Sequence, residues 1–321
     1  MRKALFCGHG DCFKAKKDTE TQLIPTHDLP ANLMFFDVWL YYRDLKWKRQ
    51  NMPKTDGSHS AKKRHYWWRI LLIGFGIYVA GLIILIFTGN SNVFPTMTIS
   101  GSFLVPVTYV SFFYERRHLS SVKLPATAMT FFYGGVLGTL AASLLEPLFI
   151  HSLTFQTALI VGVIEEFVKI WGVLLIARRL RHDSELDGII LGVAAGMGFA
   201  AFESMGYAFS AFLRSGGSLS LSVGVTLLRG LLSPVGHGTW TAIFAAVLFR
   251  ESRARKFRIN LAVFAAYFTA VALHWLWDGI PGLLSHLVSS GVDIFIAQMV
   301  VGAAGLLILW RRWKEALSRQ Q

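Results

Sequence analysis

At 321 residues the chain is long enough for two soluble domains, but 53% of it is hydrophobic, only 16% is charged, and its mean hydropathy is +0.46. This balance excludes an ordinary globular mix, and several apolar runs reach the roughly 18–20 residues that cross a bilayer. The net charge of +13 points to no nucleic-acid partner: Lys and Arg cluster between the apolar runs, where they hold loops in the cytoplasm and meet anionic lipid headgroups. The fold class expected is all-α, a polytopic transmembrane bundle of about eight spans behind a polar cytoplasmic N-terminal tail.

Residues 1–64 read as that tail, residues 65–313 as the multi-span membrane domain with its motif core at about 155–280, and residues 314–321 as a cytoplasmic C-terminal tail. No apolar signal region precedes the first span. Cys7 and Cys12, the only cysteines, flank His9 in a Cys-Gly-His-Gly-Asp-Cys stretch. A structural zinc site takes four ligands at paired spacings, and no second cysteine pair exists to complete one. Leu33 to Trp47 carries enough aromatic side chains either to lie along the membrane surface or to pack on the span ends.

Hydropathy places the spans at about 67–88, 94–114, 125–145, 155–177, 188–212, 222–249, 259–280 and 291–310. Basic residues alternate from one connection to the next. The tail has Lys62, Lys63 and Arg64, the second connection Arg116, Arg117 and Lys123, and the fourth Arg178, Arg179 and Arg181. The sixth has Arg250, Arg253, Arg255, Lys256 and Arg258, and the end of the chain has Arg311, Arg312 and Lys314. The first, third and fifth connections hold Asn90 and Asn92, Glu146 and His151, and Arg214 alone. Both termini are therefore expected in the cytoplasm. Gly188, Gly192 and Gly196 form a small-residue stripe suited to close helix packing.

Ionisable groups inside the spans carry the functional signal. Glu165, Glu166 and Lys169 lie in the middle of the fourth span, Glu203 in the fifth, His237 in the sixth, and His274 with Asp278 in the seventh. Each costs about 2.5–3.5 kcal/mol at mid-bilayer on insertion scales, so their gathering needs a reason. Two imidazoles with carboxylates from separate helices form a normal Zn²⁺ ligand set. A metal held in this way lowers the pKa of a bound water to about 7, and a carboxylate beside it moves the proton. The neighbours Glu165 and Glu166 point about 100° apart around the helix, so one can face the site while the other pairs with Lys169. The bland alternatives are packing histidines and a structural Glu–Lys pair. Trp275 and Trp277 read as outer aromatic-belt residues. Arg229 reads as snorkelling to the interface, with neutralising an acid or gripping a substrate as the alternatives.

The stretches Glu165–Lys169 (Glu-Glu-Phe-Val-Lys), Glu185–Gly192, Gly196–Ser204, the single His237, and His274–Asp278 (His-Trp-Leu-Trp-Asp) occur in one order, and together they resemble the PrsW family of intramembrane metalloproteases, relatives of the CAAX prenyl proteases. The resemblance covers about 110–280 and implies Glu165 and Glu166 for water activation. It also implies Glu203, His237 and His274 around the metal and Asp278 as an orienting or binding group, beside Lys169 as the charge partner that the spacing gives. Ser204 departs from the pattern, which commonly has Asn there. Family members are associated with cleavage of membrane-anchored regulators such as anti-sigma factors.

The expected function is thus a zinc-dependent intramembrane endopeptidase acting on a membrane-anchored protein substrate, in a bacterial plasma membrane. A proton- or cation-coupled transporter also uses buried Glu and His chains, and a non-catalytic scaffold of the same fold is a further alternative. No inverted repeat of matching broken helices supports the transporter.

Overall fold

The structure is a computed structural model, and it describes residues 65–178, 184–253, 256–285 and 291–319. The N-terminal tail with Cys7 and Cys12, and the aromatic stretch within it, lie outside the described residues. Among the described residues nine α-helices follow in order: α1 (Trp67–Thr88), α2 (Val93–Glu115), α3 (Leu124–Phe149), α4 (Phe155–Ala177), α5 (Glu185–Arg214), α6 (Leu219–Leu232), α7 (His237–Glu251), α8 (Leu261–Leu284) and α9 (Gly291–Ser318). Among the described residues no strand forms, and one isolated bridge pairs Arg253 with Lys256.

Seven stretches of the described residues are long and apolar enough to cross a membrane, with α6 and α7 together supplying one of them, Leu219–Glu251. The eighth crossing is α4, which has the length at 23 residues but carries Glu165, Glu166 and Lys169. The expected all-α polytopic bundle of about eight spans is what the chain forms.

Helix starts are set by side chains that satisfy otherwise orphaned backbone N–H groups. Thr154 caps α4 in a reciprocal box with Thr157, Ser218 accepts from the Leu221 N–H at the start of α6, and Asn260 accepts from the Val263 N–H at the start of α8. At the start of α5, Asp187 gathers the connection between α2 and α3, accepting from Ser121 N–H at 3.1 Å and from the Ser120 and Ser121 hydroxyls. Beside it, buried Glu185 faces Arg312 of α9 and Arg319 just after it, at 3.7 and 3.3 Å. The Glu185–Gly192 motif therefore begins as a brace at one end of the bundle. The last helix continues to Ser318, well beyond the span that hydropathy outlines.

The span read at about 222–249 is not one continuous helix: α6 stops at Leu232, Ser233–Val235 form one 3-10 turn, and α7 starts at His237. Pro234 supplies no N–H and clashes with the preceding turn, and Gly236 leaves the helical region at φ −108°, ψ −123°. The break is tolerated because it lies inside protein beside a cavity, not against lipid.

The centre of the bundle is α5, whose apolar stretch is 83% buried against 11–39% for the other six stretches apolar enough to cross a membrane. Glycines allow this. An added Cβ at Gly192 would lie 2.7 Å from Ala242 Cα, one at Gly188 would strike the Ala245 carbonyl, and one at Gly196 the His237 carbonyl. On the opposite side, a Cβ at Gly134 would lie 2.7 Å from Ala195 Cα, and one at Gly198 would strike the Phe131 carbonyl. So α5 is clamped between α3 and α7 at backbone contact, where neither lipid nor side chain intervenes.

The replacement Gly196→Leu should push α7 away and displace His237, costing about 1–3 kcal/mol and lowering the thermal midpoint in detergent. Gly76→Ala on α1, where an added Cβ meets nothing within 4 Å, should be neutral or slightly stabilising in the same melt. Equal midpoints for both variants would refute the clamp.

Candidate functional site

Four helices and the break deliver the buried polar groups to one place. Lys169 projects from α4 and is fully buried. Its Nζ lies 2.8 Å from Glu166 Oε1, 2.9 Å from Glu165 Oε2 and 2.8 Å from His237 Nδ1. The Phe199 ring covers the same ammonium at 4.4 Å. One cation is thus shared by two carboxylates of its own helix turn and an imidazole from α7, the arrangement that i, i+3 and i, i+4 spacing allows.

The two neighbouring acids have different surroundings. Glu166 is wholly buried and both its oxygens are engaged: Oε1 by Lys169 and by His274 Nδ1 at 3.1 Å, Oε2 by the Thr241 hydroxyl at 3.0 Å. The Oε2 of Glu165 is buried yet accepts no hydrogen bond; the Lys169 ammonium is near but poorly aligned. Its other neighbours are His274 Nε2 at 3.5 Å and His237 Nδ1 at 3.7 Å.

Both imidazoles are oriented through Nδ1. His237 Nδ1 lies 2.8 Å from the Lys169 ammonium, and its Nε2 lies 3.1 Å from Glu203 Oε2. Ionised Glu166 only accepts, so His274 donates from Nδ1. The Nε2 of His274 then faces two carboxylates, Asp278 Oδ2 at 3.1 Å and Glu165 Oε2 at 3.5 Å. Two acceptors converging on a basic nitrogen call for a cation or proton between them. Glu203 is fixed by Arg229 at 2.6 Å, and Arg229 Nε also donates to Ser204 Oγ at 3.2 Å.

Glu165, His237 and His274 can each present one ligand atom with all three within 4.8 Å. Three ligands of these types leave a position open for water or substrate, as catalytic zinc sites do. The donor set and the unbonded Glu165 oxygen therefore fit a divalent metal. Glu203 adjoins this group through His237.

Two openings reach these residues. A vestibule of about 490 Å³ is lined by Arg229, His237, Asp278, Trp277 and Gln298 among others, and a groove of about 420 Å³ runs between α3 and α5. Glu146, Glu165, Glu203 and Tyr207 line both.

All seven residues singled out in the sequence lie in this cluster: Glu165, Glu166, Lys169, Glu203, His237, His274 and Asp278. Sequence reasoning missed several of their supports. Thr241 lies one helical turn after His237, so the spacing carried its signal. Trp240 is fully buried with its ring 4.7 Å from that of His274. Glu146 was assigned to a connection, but α3 runs on to Phe149 and turns it into the cavities. Arg229 pairs with Glu203 in place of the expected snorkelling. Trp275 and Trp277 are also not simple belt residues. The Trp275 indole N–H donates to the Phe155 carbonyl at 2.7 Å, and Trp277 lines the vestibule.

Comparisons with known proteins agree with the geometry. Protease PrsW of Halalkalibacterium halodurans is 28% identical to this chain over 174 residues, covering 53% of the chain and 76% of that protein. No solved structure matches. The PrsW family of intramembrane metalloproteases matches residues 123–308, a stretch that spans α4 to α8 and every residue of the buried cluster. The chain belongs to that family, as an integral membrane protein with an intramembrane protease fold.

Proposed function

We propose that the chain is a zinc-dependent endopeptidase that cuts a membrane-anchored protein within or beside the bilayer. The observation that carries this reading is the convergence of Glu165, His237 and His274, ligand atoms within 4.8 Å, at the meeting point of two openings. In this proposal those three residues hold the metal. Bound there, it supplies Lewis-acid polarisation of the scissile carbonyl and of the attacking water.

The protein's own groups divide the remaining work by exposure. Glu166 has no exposed surface and no free oxygen, so it positions His274, and Lys169 offsets the acids and positions His237. Of the three glutamates in the cluster only Glu203 is appreciably exposed, at 19% against 5% and 0% for Glu165 and Glu166. Glu203 is therefore the proton acceptor for a vestibule water, and it returns the proton to the leaving amine. Arg229 holds the Glu203 carboxylate at the vestibule wall, and Asp278 lies beside Nε2 of His274 at 3.1 Å as an orienting or binding group. This reading exchanges the roles that the family resemblance implied for Glu165 and Glu203, because a base must meet water and a ligand need not.

The alternation of basic connections supports cytoplasmic termini and a site opening towards the outer face of a bacterial plasma membrane. The substrate is then a single-span or membrane-anchored protein, with an anti-sigma-factor-like regulator as one case. The transporter reading gains nothing from the single broken span, which has no partner break among the described helices.

Purified protein should carry about one zinc per chain, reduced strongly by His237→Ala, His274→Ala or Glu165→Gln. Glu203→Gln should keep its zinc while cleavage falls about 10²–10⁴-fold. If Glu203→Gln loses metal and Glu165→Gln retains it, the two roles are reversed. Chelation should abolish cleavage, and added zinc should restore it. Mapping new N-termini in membranes with and without the active protein should find cuts in single-span segments near the outer face. Cuts confined to the cytoplasmic leaflet would refute that orientation.

A further inference from the structure

Hydrolysis of a chain inside a bilayer needs two reactants that arrive from different phases, and two openings meet at this site. The vestibule brings charged and polar side chains, Arg229, His237, Asp278 and Gln298, to the site among apolar ones such as Leu228 and Trp277. The groove has fewer charged groups of its own, with Arg214 at its far end. Beyond the four residues it shares with the vestibule, it combines apolar and aromatic walls, Leu140, Phe199 and Phe202, with small and hydroxyl side chains, Ser143, Gly206 and Ser210.

Its shape follows from where α3 and α5 part. They touch backbone to backbone at Gly134 and Gly198, and an added Cβ at Gly138 would lie 3.0 Å from the Phe199 ring. Further along α5, an added Cβ at Gly206 would meet nothing within 4 Å. The helices are clamped on one side of the acids and splayed on the other. The splay leaves a side opening that runs from Glu203 to Arg214 and has Leu140, Ser143 and Ser210 exposed along it.

We propose that this groove admits the substrate: a membrane-embedded segment of the target protein enters sideways between α3 and α5, extended, while water reaches Glu203 through the vestibule. The inference rests on the endopeptidase reading above and adds the route and the form of the substrate. A helical segment hides its carbonyls in its own hydrogen bonds, so the scissile stretch must unwind. Unwound backbone in a bilayer needs polar partners. The Ser143 and Ser210 hydroxyls and Tyr207 supply these along the groove, and Phe199 and Phe202 receive apolar side chains. From Glu203 to Arg214 the groove is about 16 Å long at helical rise, so about five extended residues reach from the cut to the end of the bundle.

The test places a photo-crosslinking residue at Ser143 or Ser210 in the Glu203→Gln protein within its native membrane, with Phe264 on α8 as a lipid-facing control. The targets are the single-span proteins whose cleavage depends on the wild-type protein. Positions 143 and 210 should crosslink to the membrane segments of those same proteins, within about five residues of the mapped cut, and position 264 should not. Gly206→Trp should slow their cleavage about a hundredfold while zinc content and thermal midpoint stay at wild-type values. If that variant proves unstable, the crosslinks alone decide. Cleavage by the wild-type protein with no crosslink from 143 or 210, or with Gly206→Trp cutting at the wild-type rate, overturns the groove and leaves the endopeptidase standing. If the wild-type protein yields no cut product at all, crosslinks from 143 and 210 to any single-span protein support the groove as a docking surface and overturn the endopeptidase instead.

Discussion

The ammonium of Lys169 is the contact on which the site depends. It lies within 2.9 Å of Glu165, Glu166 and His237, and it has no exposed surface. Without it, two adjacent carboxylates would lie in a low-dielectric interior with their charges unopposed, at a cost of several kcal/mol per ion. The cation also ties α4 to the first turn of α7 and sets which nitrogen of His237 faces the cavity. Charge balance and ligand geometry are therefore one arrangement here.

That arrangement needs backbone-level precision from the surrounding helices, and the glycines provide it. The Gly188, Gly192 and Gly196 side of α5 sets the distance to α7, and Gly196 fixes the backbone of His237 itself. Gly134 and Gly198 do the same between α3 and α5. Helices so close have little freedom to slide. The break at Pro234 and Gly236 then lets His237 emerge at mid-membrane from the start of a helix, next to Glu203 and Glu165.

A site buried in this way must still admit water and polypeptide. The vestibule and the groove share Glu146, Glu165, Glu203 and Tyr207, so both openings end at the same carboxylates. Exposure then separates acids that look alike in sequence. Glu166 is sealed by Lys169, His274 and Thr241, Glu165 keeps one oxygen unbonded, and Glu203 faces the opening with Arg229 behind it.

Hydropathy and charge placement alone determined the helical bundle, its eight crossings and the depth-matched set of acids and histidines, because the bilayer penalises each buried charge and each unpaired backbone group separately. The Glu-Glu-x-x-Lys spacing likewise determined that Lys169 reaches both acids. Tertiary structure decided what spacing cannot encode. Glu165 and Glu166 are neighbours with the same chemistry, and only the positions of Thr241, His274 and the cavities distinguish them. The break in the sixth span, the pairing of Arg229 with Glu203 and the entry of Glu146 into the site depend on contacts between segments far apart in the chain. Such contacts are fixed by the packing of helices against one another, which a local pattern of apolar and polar residues does not specify.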